Sequence, residues 1–188
     1  ELLVMETLQL IKENSAPKVL ELGVGSGCIS TAIAVNHKTV RIVGVEIYPP
    51  TLQVAQRNVT RHHVEGRVEL RLGDLFSPLQ PGELFDVLVS NPPYIPTAEI
   101  ETLAPSVRQH EPHRALDGGA DGLDLIRQIA LEGVDYVRPG GTILIEFTPE
   151  QADTIRALFN EPGSGWEDAT IVQDLGHQPR VLKARRSA

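Results

Sequence analysis

A run of prolines around one asparagine and one tyrosine is the stretch best suited to chemistry. Residues 91–96, here called the proline corner, read Asn-Pro-Pro-Tyr-Ile-Pro and follow an apolar run over residues 85–89. Each proline fixes its backbone φ and removes an amide donor, so the corner cannot continue that run as a strand. It presents the Asn91 amide, carbonyl groups without ladder partners and the Tyr94 ring. The corner can therefore accept hydrogen bonds from an NH2 group and stack on its π-system, although a turn that only ends a strand would show the same prolines.

A second candidate, here called the glycine loop, covers residues 23–27. Gly23, Gly25 and Gly27 follow a predicted strand, and a helix of small residues is predicted to begin near Ser26. Glycines let the backbone approach a ligand with no Cβ in the way. The first N–H groups of a helix are free to bind an anionic group. The loop therefore predicts a small-molecule site, although a lone loop of this kind can also be a simple tight turn.

Two acids follow the glycine loop at the ends of predicted strands. Glu46 closes the second strand, where an acid typically accepts hydrogen bonds from ribose hydroxyls. Asp74 closes the third, where it can accept from an exocyclic amine or simply begin a turn before Leu75. A dinucleotide needs space for a pyrophosphate and usually the pattern G-x-G-x-x-G/A. Here the spacing is Gly-x-Gly-x-Gly with Cys28 next, which favours S-adenosylmethionine, a nucleoside without phosphate.

Hydrophobic periodicity places these motifs in an alternating α/β pattern. Strands are predicted over residues 18–22, 41–46, 67–72, 85–89, 142–147, 169–173 and 180–184, and helices over residues 1–14, 28–35, 49–62, 121–137 and 149–160. Residues 97–119 are predicted to form a long polar connection, residues 138–141 a turn, and residues 175–179 the turn of a terminal hairpin. This order implies a mostly parallel sheet with helices on both faces and an antiparallel strand near one edge.

Composition narrows the class of protein. The 188 residues, 41% hydrophobic and 22% charged, suggest one globular domain. No apolar run approaches the roughly 20 residues of a membrane span, so we expect no membrane partner. The net charge of −8 disfavours tight nonspecific binding to nucleic acid. The single cysteine, Cys28, indicates a reducing compartment and hence a cytoplasmic location, and we expect it to be a small buried residue.

Four motifs together resemble one known family. They are Glu21-Leu22-Gly23-Val24-Gly25-Ser26-Gly27, Gly73-Asp74-Leu75, Ser90 with the proline corner, and residues 111–123, which read Glu-Pro-His-Arg-Ala-Leu-Asp-Gly-Gly-Ala-Asp-Gly-Leu. The chain resembles the protein-(glutamine-N5) methyltransferases that modify peptide-chain release factors, the HemK/PrmC family. The Asn-Pro-Pro-Tyr motif is shared with enzymes that methylate amino groups of nucleic-acid bases, whereas the block over residues 111–123 is much more specific.

The resemblance implies a fold and a set of site residues. The fold is a Rossmann-like class I S-adenosylmethionine-dependent methyltransferase domain over residues 1–188, with a seven-stranded mostly parallel sheet and an antiparallel terminal hairpin. Asn91, Pro92 and Tyr94 are expected to be catalytic. These three with Pro93 and Glu111 are expected to bind the acceptor, a glutamine in the Gly-Gly-Gln loop of a release factor. Contacts to S-adenosylmethionine are expected from Glu21, Gly23, Gly25, Gly27, Glu46, Ile47, Asp74, Leu75 and Asn91.

The resemblance also leads to expectations about domain organisation, oligomeric state and partners. The family usually carries a small helical domain before the catalytic one, and the chain begins at Glu1 without a methionine, so we expect truncation at the N-terminus. We expect a monomer whose partner is a release factor, with nucleic acid not a partner. No metal site is expected, because the adjacent His62 and His63 end a helix and face different directions.

Three other functions remain open from the residues alone. The first is an N6-adenine or other amino-methyltransferase acting on nucleic acid, suggested by the Asn-Pro-Pro-Tyr motif but disfavoured by the net charge. The second is a cofactor-binding scaffold without activity, which would not need both Asn91 and Tyr94. A dehydrogenase is the third. Glu146, at the end of a predicted strand, either lines the cleft or only ends the strand.

Overall fold

The computed structural model describes residues 1–102 and 116–188, which alternate between helices and strands. The α-helices are α1 (Leu2–Ile11), α2 (Cys28–Asn36), α3 (Pro49–Arg61), α4 (Asp124–Gly133) and α5 (Ala152–Phe159). The strands are β1 (Lys18–Leu22), β2 (Arg41–Glu46), β3 (Val68–Leu72), β4 (Phe85–Ser90), β5 (Val137–Glu146), β6 (Trp166–Gln173) and β7 (Pro179–Arg186). Short 3-10 helices cover Thr97–Thr102 and Pro149–Gln151. Each predicted strand and helix is therefore present, with shifted ends.

These seven strands form one sheet in the order β3-β2-β1-β4-β5-β7-β6. The first five pair in parallel, and β7 runs antiparallel to both β5 and β6. The prediction of a seven-stranded, mostly parallel sheet with an antiparallel terminal hairpin is confirmed. The strand order reverses between β1 and β4, so a crevice forms beyond the carboxyl ends of these two strands.

Helices cover both faces of the sheet and give it two hydrophobic layers. Side chains of successive strand residues point to opposite faces, so Leu20 packs with α4 and α5, while its neighbour Val19 packs with α1, α2 and α3. Covering both faces explains why the central strands are continuous runs of Val, Leu and Ile rather than alternating patterns.

The strands β5, β6 and β7 were predicted too short, and the largest difference is at the start of β5. The predicted turn over residues 138–141 lies inside β5, which begins at Val137. The register shifts between the pair Phe85–Val137 and the pair Val87–Thr142, so the intervening residues of β5 form a bulge. A Pro-Gly-Gly sequence is typical of a turn, but a bulge uses the same residues without ending the strand.

Two further expectations were wrong. The helix predicted over residues 121–137 is restricted to α4, Asp124–Gly133, because the residues before it bind the proline corner and those after it lead into β5. Cys28, expected to be buried, is exposed. The buried residue at this helix start is Gly27, where an added Cβ would lie 3.1 Å from the Cβ of Ala55 in α3.

Candidate active site

The glycine loop and the proline corner lie side by side at the carboxyl edge of the sheet. Leu22 of β1 pairs with Ser90 of β4, and the Ser90 hydroxyl donates to the Leu22 carbonyl at 2.9 Å. A Cβ built on Gly23 would lie 4.0 Å from the carbonyl oxygen of Asn91. The two motifs therefore form the walls of one cleft, and the lack of a side chain at Gly23 leaves room between them.

The glycine loop has a backbone that other residues rarely adopt. Gly23, Gly25 and Gly27 have φ values of 70°, 59° and 77°, all in the left-handed region that glycine enters without a steric penalty. The Gly23 amide donates to the Val45 carbonyl at 3.0 Å, which ties the loop to β2. The open space at Gly23 leaves room for the close approach of a ligand, and the predicted ligand contact of the loop stays a prediction.

Glu46 holds the glycine loop in place. It is buried at the end of β2, and its Oε2 accepts from the Gly25 amide at 2.9 Å while its Oε1 accepts from the Tyr48 amide at 3.0 Å. A carboxylate has about four acceptor positions, so capacity remains for ribose hydroxyls. The sequence predicted a ligand contact here and missed the bond to the loop.

Glu21 lies beneath the loop in a buried pocket. Its Oε2 accepts from the Ser30 amide at 2.9 Å and also from the Ser30 hydroxyl. Its Oε1 is buried with no hydrogen-bond partner among the described residues. Burial raises the pKa of Glu21 to about 8, an effect that the bonds from Ser30 only partly offset. The carboxyl group is therefore largely protonated near neutral pH.

Of the two roles that the sequence left open for Asp74, the structure shows the turn. Its amide donates to the Ser77 hydroxyl and its carbonyl accepts from the Ser77 amide, both at 2.9 Å, so it does begin a turn. The next residue, Leu75, has a φ of 42° and packs against the core. Asp74 is nevertheless exposed, and a carboxylate at the end of β3 can still accept from an amine.

Two exposed aliphatic side chains lie beside these acids. Ile47 follows β2 and is 44% exposed, and Leu72 ends β3 and is 52% exposed. Because Glu46 pairs with Leu72 across the two strands, Ile47 and Leu72 are close neighbours. They can form an apolar wall for a flat ring. The sequence predicted Ile47 as a cofactor contact but did not single out Leu72. The signal for Leu72 was its position immediately before Gly73-Asp74.

The residues of the proline corner differ in solvent exposure. Asn91 is exposed, Pro92 is buried, and Pro93 and Tyr94 are partly buried. Burial raises the pKa of Tyr94, the negative charge of Glu146 raises it further, and Arg180 opposes both. Burial likewise raises the pKa of Glu146. The fifth predicted substrate residue, Glu111, lies outside the described residues.

Residues 116–118 support the proline corner through hydrogen bonds. The Ile95 amide donates to the Leu116 carbonyl at 3.0 Å, and the Gly118 amide donates back to the Ile95 carbonyl at 2.9 Å. Asp117 accepts from the Thr97 hydroxyl at 2.7 Å. The Asp-Gly-Gly half of the specific 111–123 block therefore forms backbone pairs that hold the corner, a role the sequence did not show.

Gln151 is a buried residue that the sequence reasoning missed. Its Nε2 donates to the Tyr94 carbonyl at 2.9 Å and to the Asp121 carbonyl at 3.2 Å, and its Oε1 accepts from the Thr148 amide at 3.3 Å. A Cβ on Gly122 would lie 2.2 Å from the Tyr94 carbonyl oxygen, so a glycine is required there. The sequence signal for Gln151 was its Thr-x-x-Gln spacing from Thr148, which is typical of a capping box.

Within residues 1–102 and 116–188, no three His, Cys, Asp or Glu side chains lie close enough to hold a metal ion. No helix in that part of the chain has both the length and the apolar character needed to cross a membrane.

Known proteins resemble this chain at several levels. Residues 2–110 match the family model described as methyltransferase small domain. The release factor glutamine methyltransferase of Geobacter sulfurreducens is 44% identical over 98% of this chain and 63% of that protein. That of Koribacter versatilis is 36% identical over 99% of this chain and 64% of that protein. The chain thus spans just under two thirds of the length of these curated relatives.

A solved structure agrees in fold. The protein-(glutamine-N5) methyltransferase (release factor-specific) of Alicyclobacillus acidocaldarius superposes with a TM-score of 0.58 at 24% identity, covering 99% of this chain and 90% of that chain. The sheet order and the cleft at the strand reversal define a Rossmann-like class I S-adenosylmethionine-dependent methyltransferase fold. The chain belongs to the methyltransferase small domain family, whose model covers more than half of its length.

Proposed function

We propose that the chain transfers a methyl group from S-adenosylmethionine to the side-chain amide nitrogen of a glutamine, in the Gly-Gly-Gln loop of a peptide-chain release factor. The observation that carries the proposal is the single cleft between the glycine loop and the proline corner, with Asn91 exposed at its edge. The relatives at 36–44% identity, named release factor glutamine methyltransferases, support the choice of acceptor.

The corner has the groups that this acceptor requires. An amide nitrogen is a poor nucleophile because its lone pair is delocalised into the carbonyl, so the site must aim that lone pair and stabilise the charge that develops on nitrogen. The Asn91 side-chain oxygen and the Pro92 carbonyl can accept the two N–H hydrogens. Tyr94 can stack on the amide plane. The proton leaves after the transfer and needs no dedicated base.

The other wall of the cleft fits the methyl donor. When bound, S-adenosylmethionine supplies an electrophilic methyl group on sulfur. Gly23 and Gly25 would hold its amino-acid end close to the backbone, and Glu46 would accept from its ribose. Ile47, Leu72 and Asp74 would surround its base, while Gly27 and Leu75 shape the loops, and Glu21 lies under the loop and supports it.

The proposal also covers the domain organisation, oligomeric state and cellular location of the chain. We propose that residues 1–188 act as one methyltransferase domain, as a monomer and in the cytoplasm, where a protein with the single cysteine Cys28 would stay reduced. The alternative acceptor, an amino group of a nucleic-acid base, would use the same corner, but the net charge of −8 opposes contact with phosphates.

One assay tests the acceptor. The chain is incubated with tritiated S-adenosylmethionine and one of three acceptors: a release factor, the same factor with the glutamine of its Gly-Gly-Gln loop changed to alanine, or duplex DNA. We expect label only in the unchanged factor. Label in DNA, or equal label in both factors, would contradict the proposal.

A further inference from the structure

The turn between β6 and β7, taken together with Pro179 at the start of β7 as residues 174–179, is held together by one carboxylate. Asp174 Oδ1 accepts from the amides of Gly176 and Gln178 at 2.8 and 3.0 Å, and its Oδ2 accepts from Arg180 Nε at 3.2 Å. The Asp174 amide donates to the Gln178 carbonyl at 2.9 Å, and the His177 amide donates to the Asp174 carbonyl at 2.9 Å. These bonds satisfy most of the turn internally and fix its shape.

At the tip of this fixed turn, Leu175 is 98% exposed, the largest exposed fraction among the large hydrophobic residues that the structure describes. Turns normally carry Gly, Pro, Asn, Asp or Ser. A leucine here contributes nothing to either core layer and has no role in the hydrogen bonds of the turn. Loops presented by a rigid scaffold are common positions for binding residues.

The turn also lies on the correct side of the cleft. The sheet places β3, β2 and β1 on the cofactor side of β4, and β5, β7 and β6 on the other side. Ile145 pairs with both Ser90 of β4 and Leu182 of β7, so β7 lies two strands, or about 10 Å, from β4. The turn that leads into β7 therefore rises beside the corner, away from the glycine loop.

Arg180 connects the turn with the site. The Phe147 amide donates to the Arg180 carbonyl at 3.1 Å, which fastens the base of the turn to the end of β5. The charge of Arg180 also acts on the ring of Tyr94. Because β7 lies two strands from β4, we expect the turn to face the polypeptide that flanks the acceptor side chain rather than that side chain itself.

We propose that the turn over residues 174–179 is a docking point for the release factor, with Leu175 as its apolar contact to the polypeptide flanking the acceptor glutamine. This inference rests on the proposed function, because it names the same protein substrate. A polypeptide surface buries a leucine favourably, whereas a nucleic-acid backbone is bound through cations. The turn thus adds affinity for the protein beyond what the cleft gives to a glutamine alone.

The test compares Leu175→Ser with the control Leu131→Ser. Leu131 is also highly exposed, at 75%, but lies near the end of α4 that leads to the opposite edge of the sheet. Each variant is assayed with a full-length release factor and with a short peptide containing Gly-Gly-Gln. Direct binding of fluorescently labelled factor is titrated in parallel, and cofactor affinity is measured by calorimetry.

For Leu175→Ser we expect KM and Kd for the full factor to rise about tenfold, the effect of losing one buried leucine contact. The kcat value, the KM for the peptide and the cofactor Kd should not change, and Leu131→Ser should match the wild type throughout. An unchanged KM for the factor, or an equal rise in KM for factor and peptide, would overturn this inference but not the proposed function. If the wild type methylates neither factor nor peptide, the proposed function fails as well.

Discussion

The two walls of the cleft are built in different ways. The glycine loop is held by groups close to it in the chain, chiefly Glu46 and the Val45 carbonyl, within one strand–helix–strand unit. The proline corner is held by Leu116 and Gly118 and also by Gln151, which belongs to a separate strand–helix unit and is 57 residues from the Tyr94 carbonyl that it binds. One wall is therefore a local motif and the other a tertiary assembly. We expect changes in the first to act on cofactor binding and changes in the second on rate.

The largest effect is expected at the corner itself, for Asn91→Ala. Removing the side-chain oxygen deletes one of the two acceptors that we propose stabilise charge on the attacking nitrogen, so kcat should fall at least about 100-fold. Cofactor affinity should remain near that of the wild type, because the Asn91 atom that faces Gly23 is its backbone carbonyl oxygen, which the substitution keeps. Single-turnover methylation of a release factor measures the rate, and calorimetry measures the affinity.

A matched control is Asn36→Ala, since Asn36 is exposed at the end of α2 and bonds only to the Ala32 carbonyl. It should behave as the wild type in both measurements. A rate for Asn91→Ala within a few-fold of the wild type would remove Asn91 from the mechanism.

In the glycine-loop wall of the cleft, Glu46→Ala should mainly weaken binding of the cofactor. The change removes acceptors for the Gly25 and Tyr48 amides as well as those offered to the ribose. Hydrogen bonds to charged groups are worth about 1.5–3 kcal/mol, so the cofactor Kd should rise roughly 10- to 100-fold. The kcat value at saturating cofactor should change little. Calorimetry that shows an unchanged Kd, compared with the exposed control Glu65→Ala, would exclude Glu46 from the site.

Gln151→Met tests whether distant support of the corner matters for rate. Methionine keeps the approximate length of the side chain but cannot donate to the Tyr94 and Asp121 carbonyls. With about 1 kcal/mol for each of the two lost bonds, we expect kcat to fall about 30-fold. Cofactor Kd should stay constant, as should both values for Gln80→Met, a change at an exposed site. Equal losses in kcat and cofactor affinity would mean that the two walls are not separate.

The same contrast explains what the sequence could predict. The strands, the terminal hairpin and the glycine loop could be predicted because each is marked by local periodicity or a short glycine motif within one stretch of chain. Gln151 and the support by Leu116 and Gly118 could not be predicted, since nothing near residue 94 indicates which distant carbonyls and amides reach it. The bulge before Thr142 was missed because a proline and two glycines serve a turn and a bulge equally well.

A last contrast concerns Glu21 under the glycine loop, where the effect is expected in stability rather than in rate. The pKa of this carboxyl is about 8 in the folded protein and 4.5 as an unperturbed group. Between these values the folded state keeps a proton that the unfolded state has lost, so the contribution of Glu21 to stability is complete below pH 4.5 and is lost as the pH rises through 8. The largest slope is about 1.4 kcal/mol per pH unit.

Glu21→Gln removes this titration, whatever it does to the absolute melting temperature. Thermal melts without cofactor from pH 5 to 8 should therefore show that the wild type loses stability relative to the variant as pH rises. The exposed control Glu65→Gln should follow the wild-type curve in parallel. If the Glu21→Gln curve also ran parallel to the wild type, the carboxyl would be ionised throughout, and the loop would rest on a charged rather than a neutral group.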